Sequence, residues 1–290
     1  MKNIAFFVSA EKPEALSCAE NSAVILSQLG CNCFASVEFI AKLKTEIQEI
    51  VQPCSRIDVE KHADVVVSFG GDGTMLSAAR FFADSDLPIM GINIGKLGFL
   101  AEFSVSNLEQ NLKNLAEGKF RISDRNMLET DLDGERIFTL NDFVIEKKNT
   151  SRMITIHAYA NEKYIGDYRA DGIIVTTPTG STAYSLSCGG PIIAPSTEVI
   201  CITPICPHTL TVRPLVISDK NELRFVLSSP TGEASLVADG QVEKHLKNND
   251  SIVIRKSKSK AKLIKPLENS YYDLLRNKLL WAVNIGDIKN

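Results

Sequence analysis

No Cys-x-x-Cys pair occurs in this 290-residue sequence. Its seven cysteines, at 18, 31, 33, 54, 188, 201 and 206, are odd in number, so neither a disulfide framework nor a zinc ribbon is indicated. No run approaches the ~20 apolar residues that a membrane span requires. The opening run Met1 to Val8 turns polar at Ser9 and Glu11, too short for a secretion signal and without a cleavage-type site. Low-complexity linkers and internal repeats are also missing. Nor is there an excess of positive charge: 32 Lys and Arg stand against 35 Asp and Glu, a formal charge of −3. A general electrostatic binder of nucleic acid would normally be basic. These absences point to a reduced, cytoplasmic protein that engages neither membrane nor nucleic acid. A phosphorylated ligand stays compatible, because a local site can be positive on a mildly acidic chain.

What is present is ordinary globular material: 44% apolar and 23% charged residues, enough for a sizeable core. The length suggests two domains. The first third alternates strand and helix. Asn3 to Val8 reads as a strand, and Glu14 to Leu29 has apolar residues at helical spacing. Asp64 to Phe69 is β-branched and continuous, as in a strand covered on both faces. Met75 to Phe82 reads as a helix, Pro88 to Asn93 as a strand, and Ser106 as the cap of a helix reaching Gly118. Such alternation predicts a parallel sheet with right-handed crossovers.

After Phe120 the pattern becomes β-rich. A hairpin is expected about Asp133-Gly134 and another about Asn161-Glu162-Lys163. Further strands are expected at Ile173 to Thr177, Leu215 to Ser218, Leu223 to Leu227, Ser235 to Ala238 and Ser251 to Arg255. The basic run Arg255 to Lys265 reads as a solvated hairpin, and Tyr271 to Leu280 as a short amphipathic helix. The expected fold is α/β plus β: an α/β domain over 1–120, a β-sandwich-type domain over 121–265, and a tail over 266–290 returning to the first domain.

Two stretches carry the chemistry. Gly70-Gly71-Asp72-Gly73-Thr74 follows a buried strand and precedes a helix. Glycines there let backbone amides approach an anion, and a helix N-terminus favours negative charge. It is neither a Walker A loop nor a dinucleotide G-x-G-x-x-G. The competing reading is a tight strand-to-helix turn with Asp72 at the helix start. The second stretch, Asp171 to Pro191, is dense in hydroxyls and glycines and contains Tyr184, whose ring offers a stacking face for a base. Asn141-Asp142, Pro207-His208-Thr209-Leu210, Arg213-Pro214-Leu215 and Asp239-Gly240-Gln241 are weak alone. In isolation His208 is a structural histidine and Asp239-Gly240 a turn.

In this order and spacing, together with Asn93-Ile-Gly95-Lys-Leu-Gly98-Phe99-Leu100, these segments closely resemble the NAD kinase family. The glycine loop is shared with diacylglycerol and sphingosine kinases, whereas Thr177-Pro-Thr-Gly-Ser-Thr-Ala-Tyr-Ser185 is far more specific. The family usually has Asn-Glu where this chain has Asn141-Asp142, so the carboxylate is shorter by one methylene. The resemblance implies a Rossmann-like N-terminal domain, a β C-terminal domain and a site between them. It implies transfer of the γ-phosphoryl group of ATP to the 2′-hydroxyl of the adenosine ribose of NAD, with Mg²⁺ or another divalent cation screening charge.

Under that resemblance Asp72 accepts the hydroxyl proton, and the amides of Gly70, Gly71, Gly73 and Thr74 hold phosphate oxygens. Asn141, Asp142, Asp171 and the segment Thr182, Ala183, Tyr184, Ser185, Leu186 and Ser187 contact the acceptor NAD. Arg152, Arg169, Cys206 and Gln241 fall where the family contacts nucleotide; no side chain is assigned as a metal ligand. A homo-oligomer, dimer or tetramer, is implied as well. Two rivals stay open: a lipid or sphingoid-base kinase with a hydrophobic acceptor pocket, and a non-catalytic NAD sensor.

Overall fold

The computed structural model describes residues 1–8, 12–95, 98–229, 234–268 and 270–280. The chain divides into two compact units. One comprises Met1–Asp124 with the chain from Lys262 onward, the other Arg125–Ala261.

The first unit is built on a parallel sheet. Its strands lie in the order Pro88–Asn93, Val65–Gly70, Asn3–Val8, Asn32–Ala35 and Val51–Pro53. Every residue of Val65–Gly70 is buried, as a strand covered on both faces requires. Ile4, Phe6, Val65, Val67, Phe69, Met90 and Ile92 form one core with residues of the helices Pro13–Gln28 and Leu108–Ala116. On the other face the helix Asp72–Phe81 seats Met75 against Gly91, where a Cβ would come 2.6 Å from the sulfur. From Asn3–Val8 the chain runs outward through two strands on one side, then crosses to Val65–Gly70 on the other. The carboxyl end of Val65–Gly70 is therefore at the point where strand order reverses, the usual ligand position in an open α/β sheet.

The second unit has two antiparallel sheets. One has six strands in the order Leu215–Ser218, Val199–Ile205, Gly172–Thr176, Asp142–Lys147, Ala234–Ala238 and Val242–Leu246. In the other, Ile154–Ala160 pairs with both Lys163–Ala170 and Leu223–Ser228. Phe143 and Ile145 from the first sheet share a core with Ile156, Phe225 and Leu227 from the second, which makes this a β-sandwich. Since strand side chains alternate, Asp142, Val144 and Glu146 take the outer face.

The fold class is as expected, with local differences. Both expected hairpins form on two-residue turns whose residues have positive φ: Asp133 (53°) with Gly134 (77°), and Asn161 (46°) with Glu162 (62°). The helix after the glycine loop begins at Asp72, three residues earlier than its apolar spacing indicates. Ser104, not Ser106, caps the turn before Leu108–Ala116 by accepting the Ser106 amide. The run Arg255 to Lys265 is no hairpin: it belongs to one strand, Ser251–Lys265. At least four of its six cations pair with acidic groups: Arg255 with Glu129 and Asp131, Lys256 with Asp219, Lys262 with Asp86 and Lys265 with Glu102. The helix expected near Tyr271 spans Tyr271–Leu279 and is capped by Ser270.

Candidate functional site

In the first unit, Asp72 opens its helix and is half-buried. Its carboxylate turns back onto the segment after Gly98. Oδ2 accepts the Phe99 amide (2.7 Å), and Oδ1 accepts the amides of Leu100 and Ala101 (3.0 Å each). Gly98 is required for this approach, because a Cβ there would overlap Oδ1. Oδ2, with one bond, retains more capacity to accept a hydroxyl than Oδ1 with two. Gly70 is buried in the strand and Gly71 is the extended residue before the helix. The Thr74 amide donates to the Gly71 carbonyl (3.1 Å) in the first turn, so the expected phosphate contact from that amide is not available. Any amide contribution rests on the glycines, where backbone approach is closest.

In the second unit, a pocket of ≈ 300 Å³ lies on the outer face of the six-stranded sheet. Its lining includes Asn141, Asp142, Glu146, Ala183, Tyr184 and Asp239. Asn141, Asp142, Ala183 and Tyr184 are thus brought together as expected. Tyr184 is 41% exposed, so its ring is open to a stacking partner. Glu146 was not singled out by sequence, and Asp239 was read there only as part of a turn. Asp239, buried with φ 51°, is the builder of this corner. It accepts the Thr139 hydroxyl and the amides of Leu140 (3.1 Å), Asn141 (2.8 Å) and Asp142 (3.3 Å). The alternation Asp142-Val144-Glu146 along one strand was the available signal for Glu146.

The hydroxyl-rich segment works largely inward. Thr177 Oγ1 donates to the Leu140 carbonyl (2.6 Å), Ser181 Oγ to the Pro178 carbonyl (2.7 Å), and Ser185 Oγ is 2.8 Å from Thr203 Oγ1. These bonds fasten the segment beside Asn141; the Ser185 hydroxyl in particular is fully buried. Thr182 and Leu186 are half-buried and Ser187 is exposed. Asp171 is engaged with Lys147 Nζ at 2.6 Å. Arg152, Arg169, Cys206 and Gln241 are exposed, and none lines the pocket. A larger cavity of ≈ 380 Å³ in the first unit is walled by Phe7, Phe39, Phe81 and Phe82 and contains none of the expected residues. Glu38, Lys42 and Arg56 also line it, but its surface is mainly apolar, so the smaller pocket, which joins the expected residues, is the better candidate.

Burial, and secondarily the nearby Asp239 carboxylate, raises the Asp142 carboxyl from 3.8 to about 7. The folded chain then holds a proton that the unfolded chain has released. Stability therefore falls as pH rises from about 4 through about 7, by a few kcal/mol at most. Asp142→Asn abolishes this slope: Tm should rise relative to wild type at pH 8 and stay unchanged at pH 4. Parallel thermal melts of both proteins across this range check it; identical slopes would show that Asp142 is not the titrating group.

The chain belongs to the ATP-NAD kinase family: the model of its N-terminal domain matches residues 4–120 and that of its C-terminal domain residues 140–266. It is 37% identical to the NAD kinase of Syntrophotalea carbinolica over 97% of this chain and 99% of that one. It is 44% identical to the NAD kinase of Moorella thermoacetica over 75% of this chain and 71% of the relative. Among solved structures, a yeast NADH kinase complexed with NADH superposes with a TM-score of 0.89 at 23% identity, covering 100% of this chain and 90% of that one. An Archaeoglobus fulgidus NAD kinase in complex with ATP gives 0.75 at 26% identity, covering 97% and 99%.

Proposed function

We propose that this chain phosphorylates NAD at the 2′-hydroxyl of its adenosine ribose, with ATP as donor, giving NADP and ADP. The observation that carries the reading is a family match reaching both units, in a chain that keeps Asp72 and the Asn141–Tyr184 pocket. In the reaction the ribose oxygen bonds to the γ-phosphorus, the β–γ bridging bond breaks, and the hydroxyl proton passes to Asp72. A carboxylate is a weak base, so this transfer belongs late in a loose transition state.

Asn141, Asp142 and Tyr184 would bind the acceptor, the tyrosine by stacking and Asp142 by accepting from a hydroxyl. The Gly71 amide and the helix beginning at Asp72 would meet phosphate oxygens. The described residues contain no group of three or more His, Cys, Asp or Glu that could hold a metal ion. Mg²⁺ or a similar cation would be carried on the triphosphate, where it would neutralise charge on the phosphates. Seven free cysteines support a reducing, cytoplasmic setting. No helix of the described residues is long and apolar enough to cross a membrane. A homo-oligomer, dimer or tetramer, completes the reading.

A lipid acceptor is disfavoured by the pocket itself, since an acyl chain would meet Asp142, Glu146 and Asp239. Purified protein given ATP, Mg²⁺ and NAD, with product read by an NADP-specific dehydrogenase, should form NADP only when donor and acceptor are both present. NAD binding without any turnover would favour the sensor instead.

A further inference from the structure

Lys265 is a lysine with 1% of its side chain exposed, at the end of the strand Ser251–Lys265. Its Nζ is 2.5 Å from Glu102 Oε1, 3.1 Å from the Leu100 carbonyl and 3.5 Å from the Phe99 carbonyl. Two consecutive peptide groups are thereby caught between opposite charges. The 99–100 peptide presents its carbonyl to Lys265 and its N–H to Asp72; the 100–101 peptide does the same.

Burying an ion pair is costly, and an apolar pair of similar volume is often at least as stable. Here the cost is raised further, because Glu102 Oε2 is buried with no hydrogen-bond partner among the described residues. Stability alone is therefore a poor reason for an ammonium at this position. A hydrogen bond at one end of a peptide group strengthens the bond at its other end. An ammonium on both carbonyls makes both N–H groups better donors and fixes them in direction.

We propose that Lys265 is a positioning residue for Asp72, acting through the two peptides 99–100 and 100–101. Lys265 orients the carboxylate and sets the strength of the donors that hold it. Glu102 is the counter-ion that lets the ammonium be buried. The inference rests on the reading of Asp72 as the proton acceptor, so the test carries Asp72→Asn in parallel.

The test compares steady-state kinetics and Tm of the wild type, Lys265→Met/Glu102→Met, Glu102→Gln and Asp72→Asn. Removing Lys265 alone would strand a buried carboxylate, so the paired change is used. The double variant should fold, keep KM for NAD and for ATP within about two-fold, and lose kcat by about ten-fold or more. Glu102→Gln, which leaves the ammonium facing both carbonyls, should lose much less. Should the apolar pair fail to fold, Lys265→Gln/Glu102→Gln keeps donors in place without charge and gives the same readout. A folded double variant with wild-type kcat, or an equal kcat loss in Glu102→Gln, overturns the proposal. If Asp72→Asn itself keeps its rate, it is the underlying reading of Asp72 that fails.

Discussion

Asp72→Asn is expected to lower kcat for NADP formation by about 10²–10⁴-fold, the range of a lost general base. The variant keeps the volume of the side chain but replaces one acceptor oxygen by an NH₂ group. If that group takes the place of Oδ2 it faces the Phe99 N–H, which lies 2.7 Å from the present oxygen. If it takes the place of Oδ1 it faces two N–H groups, those of Leu100 and Ala101. Either orientation sets donor against donor, so the segment after Gly98 should loosen and Tm should drop modestly. Affinity for NAD, measured by calorimetry, should hold, because the pocket around Asn141, Asp142 and Tyr184 contains no residue of the loop. Turnover within about ten-fold of wild type would remove Asp72 as the proton acceptor.

Gly180→Ala should strike the other unit. A Cβ at Gly180 would overlap the carbonyl oxygen of Asn141 and come 2.5 Å from Thr176 Oγ1. That carbonyl accepts the Thr177 amide (2.8 Å) and the Thr176 hydroxyl (3.0 Å), so displacing it strains two bonds and moves Asn141 and Asp142 together. Overpacking plus the weakened bonds should cost about 3 kcal/mol. Urea unfolding should report that loss, and KM for NAD should rise by about ten-fold or more if the moved residues bind it. A variant with wild-type stability and KM would mean that the backbone at Asn141 yields without consequence.

Much of this was legible in the sequence because local signals were strong. Asp133-Gly134 and Asn161-Glu162 supply left-handed turn residues, and both hairpins formed there. Val65–Gly70 announces itself by continuous β-branched residues. Elsewhere local preference misled. Asp72 and Gly73 look like helix breakers yet sit in the first turn, where an acidic residue is favoured by the helix dipole. Val199–Ile205 was obscured by Pro204. Its partner strand Leu215–Ser218 reaches only Ile202, so the proline needs no ladder donor on that side.

The site divided along the same line. Asn141, Asp142 and Tyr184 were found because their motifs are contiguous, and the structure joins them in one pocket. Asp239 was read as a turn, since the Thr139 to Asp142 groups that it binds lie 97 to 100 residues away. Lys265 was absorbed into a basic run for the same reason: Glu102 is 163 residues distant.

The strand Ser251–Lys265 also bears on the order in which the protein is made. Its last residues pair with Pro88, Ile89 and Met90 and bring Lys265 to Glu102, all within the first unit. A ribosome finishes residues 1–124 long before it reaches these. During that interval Glu102 lacks its cation, and Pro88, Ile89 and Met90 lack their edge neighbour, since Phe103–Ser104 pairs only with Ile92 and Asn93. An unpaired edge is a site for wrong partners, and domains otherwise tend to fold from the N-terminus as they emerge. Here the first unit is begun first and closed last, so a nascent chain stalled before Lys262 should be sensitive to protease in the half that was synthesised earliest.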